Sequence, residues 1–287
     1  MLTSRRISCL VALILCLIDS SDALLSHQFT SRVVGNRHHH SINTRRVVSK
    51  TTTSNHISRR EKRSCKQSST SLAAADERKP WELLRFISQS SKFVTLPPLP
   101  FTAKSPIKRK MGVGESIWEA GNPNNFFNFA PLDDVVMGGA SSSNIDNNTG
   151  IWTGKVTDAN NGGFVGVRST PFQGGSLSLD MSECKGVEIR FRQGNGKRFK
   201  FVVRDSTDFN GICWTTSFDA KANGSIRIPF SNQVPTVFAK TVSGASFNVY
   251  DVVGLQFAYS KFEYDGKLNE NFDVGDFTLQ IAELKTY

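Results

Sequence analysis

The sequence predicts an all-β domain, a jelly-roll β-sandwich, over residues 111–287. Short segments in which apolar and polar residues alternate follow one another through this region, and clusters of Gly, Asn and Asp separate them. No segment after residue 111 shows an apolar repeat of about 3.6 residues over the length of a helix. Many short strands with regular turn signals are typical of a sandwich.

Strands are predicted where β-branched and aromatic residues are bounded by turn residues. The predicted strands span residues 150–157, 163–169, 185–193, 197–204, 211–218, 225–229, 252–260 and 276–284. Two of them, 185–193 and 197–204, are joined by Gly194, Asn195 and Gly196, which are residues that favour a tight turn. We therefore expect these two strands to form a hairpin.

In each strand of the predicted hairpin, apolar side chains alternate with charged ones, and all of the charged ones except Glu188 are basic. Because successive side chains point to opposite faces of a sheet, the hairpin should have one apolar face and one basic face. The basic face comprises Arg190, Arg192, Arg198, Lys200 and Arg204. We interpret it as a candidate surface for an acidic protein or an RNA backbone, with an ordinary solvated sheet face as the alternative.

The positive charge of the chain is concentrated before the domain. Residues 1–110 carry 20 Lys and Arg against 6 Asp and Glu, whereas residues 111–287 carry 15 against 19. A basic nucleic-acid-binding domain is therefore not favoured. All five histidines lie within residues 1–56, which excludes a Ser-His-Asp triad, a Cys-His pair and a zinc site with a His ligand from the domain.

Residues 1–23 are predicted to be a signal peptide. An apolar run at residues 9–18 follows Arg5 and Arg6, and it is shorter than the roughly 20 residues of a membrane span. The small residues before Leu24 suit cleavage by signal peptidase. No transmembrane helix is therefore expected in the mature chain, and any contact with a membrane would be peripheral.

Residues 24–75 have the composition of a transit peptide. The segment is rich in Ser, Thr, Asn and Arg, and Glu61 is its only acidic residue. A signal peptide followed by such a segment is similar to the two-part address of proteins that enter plastids of secondary origin, so we expect a plastid location. A mitochondrial presequence and a secreted protein with a basic tail are the alternatives.

Residues 76–110 are predicted to contain one short helix and a linker. Pro80 suits the first turn of an amphipathic helix over about residues 80–87. The prolines at 97, 98 and 100 then end the helix and favour an extended linker.

The domain lacks the sequence motifs of common active sites, neither G-x-x-x-x-G-K-[ST] nor G-x-S-x-G being present. We predict no catalytic residue, no cofactor and no metal ion. Asp133 and Asp134 alone supply too few oxygen ligands for Ca²⁺, and we expect them to cap the loop backbone. Cys184 and Cys213 are expected to be buried thiols, with one disulfide as the alternative.

Five aromatic residues suggest sugar binding as an alternative function. They could stack on sugar rings as in carbohydrate-binding sandwiches, although burial in the core explains most of them better. They are Trp118, Trp152, Trp214, Tyr259 and Tyr264.

Two glycine-containing motifs are the most informative part of the sequence. Residues 133–143 read Asp-Asp-Val-Val-Met-Gly-Gly-Ala-Ser-Ser-Ser, and residues 162–169 read Gly-Gly-Phe-Val-Gly-Val-Arg-Ser. With Trp118 before them and a strand at 277–284 after them, they resemble the complex I intermediate-associated protein 30 family, also called NADH:ubiquinone oxidoreductase assembly factor 1. The resemblance covers about residues 115–287.

The resemblance implies a galactose-binding-like β-sandwich with a non-catalytic, chaperone-like role in assembling a membrane redox complex. The implied partners are co-assembly factors and protein subunits of respiratory complex I or, in a plastid, of a photosynthetic complex. The motif residues Asp133, Asp134, Ser141, Ser142 and Arg168 are where we expect a partner contact. A carbohydrate-binding module of the secretory pathway and a plastid RNA-binding accessory factor are the alternatives.

Overall fold

The computed structural model describes residues 82–94, 105–221 and 223–287, which all fall in one compact unit of the chain. The predicted signal peptide, the transit-peptide-like segment and the proline-rich stretch lie outside these residues. Within the described residues, no helix has the length and apolar character needed to cross a membrane.

The described residues contain one α-helix, α1 (Leu83–Ser90), which is followed by β-strands to the end of the chain. The strands are β1 (Ile107–Lys110), β2 (Ser116–Glu119), β3 (Phe129–Pro131), β4 (Ser142–Asp146), β5 (Ile151–Val156), β6 (Phe164–Ser169), β7 (Leu177–Asp180), β8 (Gly186–Gln193), β9 (Arg198–Arg204), β10 (Cys213–Asp219), β11 (Gly224–Pro229), β12 (Val234–Val237), β13 (Lys240–Thr241), β14 (Gly254–Ser260) and β15 (Gly275–Thr286).

Two antiparallel sheets form the sandwich. The seven-stranded sheet has the order β13-β12-β10-β9-β14-β6-β3, and the six-stranded sheet has the order β11-β8-β15-β5-β4 with β2 also paired to β15. Strands β1 and β7 pair in parallel. The predicted all-β jelly-roll sandwich is confirmed, and each of the eight predicted strands corresponds to an observed one.

The core lies between the two sheets and is rich in aromatic rings. Trp152 of the six-stranded sheet contacts Phe199 of the seven-stranded sheet, with ring centroids 5.8 Å apart. Trp118, Phe257 and Tyr259 are also fully buried. Since burying one large apolar side chain stabilises a fold by about 1.5–3 kcal/mol, these rings are a major part of what holds the sheets together.

The predicted hairpin over residues 185–204 is wrong. Strand β8 pairs with β11 and β15 in the six-stranded sheet, whereas β9 pairs with β10 and β14 in the seven-stranded sheet. The turn at Gly194 therefore carries the chain from one sheet to the other. Alternation of apolar and charged residues shows which side of a strand is buried. The same alternation occurs when two strands pair in one sheet and when they face each other across a core, so it does not distinguish the two arrangements.

Regular structure is also present before residue 111. Strand β1 begins at Ile107, so β-structure includes residues assigned to the linker. The predicted short helix is present as α1, and residues that follow it pack on the sandwich, since Phe93 forms a small apolar cluster with Ala130 and Leu132. The helix is thus part of the folded unit.

Candidate functional site

The first glycine-containing motif forms a loop between β3 and β4. A 3-10 turn runs from Asp134 to Met137, and Gly138 ends it in the left-handed conformation with φ 86°. Glycine adopts this conformation without steric strain, which accounts for its place at the end of the turn. The loop then reaches Ser141 and enters β4, and we call residues 133–143 the motif loop.

The carboxylate of Asp134 joins the two motifs. It is buried, and it accepts hydrogen bonds from the backbone N of Ser141 at 2.9 Å, from the Ser141 hydroxyl at 2.7 Å and from the backbone N of Gly163 at 3.0 Å. Charged acceptors make stronger hydrogen bonds than neutral ones. The carboxylate therefore fixes the end of the motif loop against the start of β6.

Two glycines make room for this carboxylate. A Cβ atom at Gly139 would lie 2.5 Å from Oδ1 of Asp134, and one at Gly162 would lie 2.5 Å from Oδ2. Real Cβ atoms do not approach other atoms so closely, so both positions require glycine as long as Asp134 keeps its place. This close packing explains why Asp134, Gly139 and Gly162 occur together.

The carboxylate of Asp133 joins the motif loop to helix α1. It accepts hydrogen bonds from the backbone N and the hydroxyl of Ser143, from Nη2 of Arg85 at 3.1 Å and from Nε2 of Gln89 at 2.9 Å. Arg85 also donates to the backbone oxygen of Ser141. Burial raises the pKa of Asp133, and the hydrogen bonds and the Arg85 charge offset this only in part.

Both carboxylates of the motif loop are thus surrounded by hydrogen-bond donors. Donors present hydrogen atoms to the oxygens that a cation would need, so the loop is not arranged to hold a metal ion. In the described part of the chain, no group of three or more His, Cys, Asp and Glu side chains could hold one either. The loop is built to connect backbone segments, as expected for capping aspartates.

The motif residues expected to contact a partner differ in exposure. Asp133, Asp134, Ser141 and Arg168 are buried, and Ser142 alone of the five is exposed, on edge strand β4. Met137 of the motif loop is exposed as well, so a partner that reaches the loop can contact both Met137 and Ser142.

The residues of the predicted basic face lie on the outer sides of two different sheets. Arg190 and Arg192 are exposed on the six-stranded sheet, where Arg190 forms an ion pair with Glu283 at 3.0 Å. On the seven-stranded sheet, Arg198 is paired with two carboxylates, and buried Lys200 donates to two backbone oxygens. These residues do not form one continuous surface.

Arg168 and Arg204 are brought together on the outer face of the seven-stranded sheet, near Cys213. The Arg204 guanidinium lies 2.8 Å from the Cys213 sulfur, and its charge acts on Arg168. The cluster could not be found from the sequence, because it depends on the order β6-β14-β9-β10 within the sheet. Both Cys184 and Cys213 are free thiols.

The aromatic residues of the rival sugar-binding interpretation are mostly in the core. Trp118, Trp152 and Tyr259 are fully buried and Trp214 nearly so, with its indole N donating to Asp205. A stacking surface for a sugar needs an exposed ring face. None of these four rings provides one.

A polar cleft of about 420 Å³ lies between the loops that surround Asn122 and Asn147. Several of the side-chain amides that line this cleft already form hydrogen bonds within the protein. Asn125 exchanges hydrogen bonds with the backbone of Glu119, and Asn147 does the same with the backbone of Phe129. These amides shape the loops.

Three exposed apolar side chains, Phe238, Phe262 and Leu268, lie on two segments that a backbone hydrogen bond joins, and we call them the apolar tip. Phe238 occupies the two-residue turn between β12 and β13 with φ 48°, and it is 59% exposed. The backbone N of Asp265 donates to the oxygen of Ala239, which joins this turn to the 262–268 loop. Phe262 and Leu268 face each other in an isolated antiparallel bridge.

The turn at the apolar tip is locally strained. Phe238 and Ala239 both have positive φ, at 48° and 60°, in a hairpin turn where Asn-Gly is favoured. A bulky residue in this conformation is uncommon. The carboxylate of Asp265 holds the turn by accepting from the backbone N and the hydroxyl of Thr241.

Solved structures similar to this chain include sugar-binding modules. The family 11 carbohydrate-binding module from Clostridium thermocellum, in complex with a β-1,3-1,4-mixed-linked tetrasaccharide, is matched over 96% of its length and 61% of this chain, at 15% identity and a TM-score of 0.41. The family 11 module of the cellulosomal cellulase Lic26A-Cel5E of Clostridium thermocellum is matched over 95% and 61%, at 15% identity and a TM-score of 0.40. An agarase is matched over only 25% of its length and 61% of this chain, at 9% identity and a TM-score of 0.35. At these identities the likeness concerns the fold alone.

No curated protein matches the chain. The sequence model of the family described as complex I intermediate-associated protein 30 (CIA30) matches residues 118–281, which is more than half of the chain. The matched span contains the motif loop, the second glycine-containing motif and the Asp134 carboxylate that joins them. The chain therefore belongs to the complex I intermediate-associated protein 30 family.

Proposed function

We propose that this protein is a non-catalytic assembly factor for a membrane redox complex and acts through protein–protein contacts. Its client is respiratory complex I or, in a plastid, a photosynthetic complex. Family membership over residues 118–281 is the observation that carries the proposal. The buried carboxylates of the motif loop, whose oxygens accept hydrogen bonds from the protein itself, are consistent with a role that involves no chemistry.

The apolar tip is the surface that best suits binding of a client. Exposed apolar residues grouped together and rimmed by polar ones mark interaction sites, and Lys240 and Lys267 are exposed beside the tip. The strained backbone of Phe238 supports this choice, because strain tends to persist where function requires it. A client with an apolar patch edged by acidic residues would fit this surface.

The RNA-binding alternative loses its main support. It depended on a single basic face, and the arginines and the lysine of that face lie on the outer sides of two sheets. Three of these five residues also have oxygen partners within the protein, through the Arg190–Glu283 and Arg198–Glu263 pairs and the hydrogen bonds of Lys200 to two backbone oxygens.

Removal of the gene product followed by rescue tests the proposal. We expect loss of the protein to reduce the mature complex and to accumulate a subassembly that co-purifies with the tagged wild-type chain. Phe238→Ser should rescue poorly. The matched control is Val113→Ser, which changes an exposed apolar residue outside the tip. Normal amounts of every membrane redox complex without the protein would contradict the assembly role.

A plastid location remains part of the proposal, and a mitochondrial location is its alternative. A fusion of residues 1–80 to a fluorescent protein separates them, since each compartment gives a distinct image. A mitochondrial signal would make complex I the client, and a plastid signal would favour a photosynthetic complex. A secreted fusion would contradict both and favour the carbohydrate-binding alternative.

A further inference from the structure

Two guanidinium groups are buried side by side on the outer face of the seven-stranded sheet. Arg168 is on β6 and Arg204 is on β9, and β14 lies between them with Gln256 opposite Arg168 and Gly254 opposite Arg204. Gly254 has no side chain, and a Cβ there would be 3.6 Å from Cδ of Arg204. The stem of Arg204 therefore lies across the glycine.

Arg204 is 2% exposed and only partly satisfied. One terminal nitrogen lies by the Cys213 sulfur, and the other donates to the backbone oxygens of Asp208 and Phe209. Its Nε is buried without a hydrogen-bond partner. No carboxylate among the described residues forms an ion pair with Arg204.

Arg168 is 8% exposed, and its positive charge has fewer partners than that of Arg204. Its guanidinium lies 5.6 Å from the ring centroid of Phe93 and 5.1 Å from that of Phe209. Within the described residues it has neither an ion pair nor a hydrogen bond. Burial, together with the neighbouring Arg204 charge, lowers the pKa of Arg168 to about 9.

Two other cations of the seven-stranded sheet, the buried Lys200 and the half-buried Arg198, have oxygen partners for their charges. Lys200 donates to two backbone oxygens at 2.6 and 2.8 Å, and Arg198 pairs with Asp219 and Glu263. An uncompensated buried charge is strongly destabilising, and two like charges add repulsion. In the described part of the chain, neither arginine of the cluster is paired with a carboxylate, and the Arg168 guanidinium has no carbonyl partner either, whereas Arg204 has two.

We propose that Arg168 and Arg204 form a binding site for a small oxyanion, carried by a phosphate or a carboxylate group. The planar fork of a guanidinium matches the oxygen spacing of both groups. Entry is from the side of Cys213, which is half-buried. The segment that carries Phe93 and the loop that carries Phe209 form the walls of the site.

Calorimetric titration of the full chain with inorganic phosphate, and separately with acetate, tests this proposal at fixed ionic strength in chloride. We expect saturable binding of at least one anion. Binding of phosphate alone would identify a phosphorylated ligand, and binding of acetate as tightly as phosphate would identify a carboxylate. No binding of either anion would overturn the proposal.

Arg168→Met is the decisive variant, because methionine can fill the space between the two rings without a charge. Anion affinity should fall at least tenfold, while stability in chloride stays equal or rises since an unpaired charge is removed. Arg190→Met is the matched control on the opposite sheet and should bind as the wild type does. Equal binding by wild type and Arg168→Met would overturn the proposal. Should Arg168→Met fail to fold, Arg168→Lys keeps the charge and loses the fork, and its affinity should fall severalfold.

Cys213→Ser tests the rival explanation that the sulfur, 2.8 Å from the Arg204 guanidinium, takes the place of the anion. The proposal requires that Cys213→Ser binds the anion at least as well as the wild type. If only Cys213→Ser binds an anion and the wild type does not, the sulfur takes the place of the anion and the proposal is wrong.

Discussion

Gln89 and Asp133 hold each other through two hydrogen bonds although 44 residues separate them in the chain. Nε2 of Gln89 donates to the Asp133 carboxylate at 2.9 Å, and the Asp133 backbone N donates to Oε1 of Gln89 at 3.0 Å. A primary amide can do both at once because it carries a donor and an acceptor. The pair fastens helix α1 to the motif loop.

Gln89→Leu should lower the free energy of unfolding by about 1–3 kcal/mol, because it leaves a buried backbone N–H of Asp133 without an acceptor. Urea denaturation followed by circular dichroism measures the loss. Ser88→Ala, at an exposed position of the same helix, should change stability by less than about 0.5 kcal/mol. Equal effects of the two substitutions would show that the hydrogen-bond pair does not stabilise the fold.

Gly139→Ala and Gly162→Ala should each destabilise the domain by about 1–3 kcal/mol or more, because the added methyl group would overlap the Asp134 carboxylate. Gly224→Ala is the control, since a Cβ there meets nothing within 4 Å. Thermal unfolding compares the three variants. Wild-type stability in Gly162→Ala would mean that Asp134 can move away, and that the two motifs are not joined as described.

The stability of the protein should rise between about pH 8 and pH 10 because of Lys200. Burial lowers the pKa of Lys200 from 10.5 to about 8, so in this window the unfolded state binds more protons than the folded state and unfolding becomes less favourable as pH rises. A neutral amine retains two hydrogens, which match the backbone oxygens of Phe262 and Glu263.

Lys200→Met isolates this effect from other groups that titrate in the same window. The variant should be less stable than the wild type, since two carbonyl oxygens lose their donor, and its rise in stability from pH 8 to pH 10 should be smaller by on the order of 2 kcal/mol. Denaturation curves at several pH values provide the comparison. Parallel pH profiles would show that Lys200 keeps its ordinary pKa in the fold.

Replacing Phe238-Ala239 with Asn-Gly should stabilise the domain by about 0.5–1 kcal/mol, because Asn and Gly adopt positive φ with less strain. The same double substitution should weaken client binding, since it removes the aromatic ring of the apolar tip. Urea denaturation and co-purification measure the two effects. A loss of stability would mean that Phe238 packs on the domain and is not held ready for a partner.

The sequence was sufficient to find the long strands and their buried faces. Strands β8 and β9 follow directly from the alternation of apolar and charged residues, which shows which side chains face the core. Strands β1 and β4 were not predicted, because Ile-Lys-Arg-Lys and Ser-Ser-Asn-Ile-Asp are short and mostly polar. Their strand conformation is imposed by pairing with β7 and β5.

Pairing between strands was harder to predict than the strands themselves. The β8–β9 connection has the residues of a hairpin turn, yet it crosses between the sheets, and long-range partners such as β15 decide the outcome. For the same reason the role of Asp133 was only half predicted. Its capping of Ser143 is local, whereas its bond to Gln89 depends on where a distant helix packs.

If the chain is processed as we propose, the hydrogen bonds between helix α1 and the motif loop limit where a protease can cut without removing partners of Asp133. A protease that cuts before Glu82 leaves Arg85 and Gln89 attached to the domain, whereas a cut beyond Gln89 would leave the buried Asp133 carboxylate with Ser143 as its remaining partner. The predicted end of the transit-peptide-like segment at residue 75 satisfies this limit. The mature N-terminus that we propose would therefore depend on the Asp133 side chain as well as on the recognition sequence of the protease.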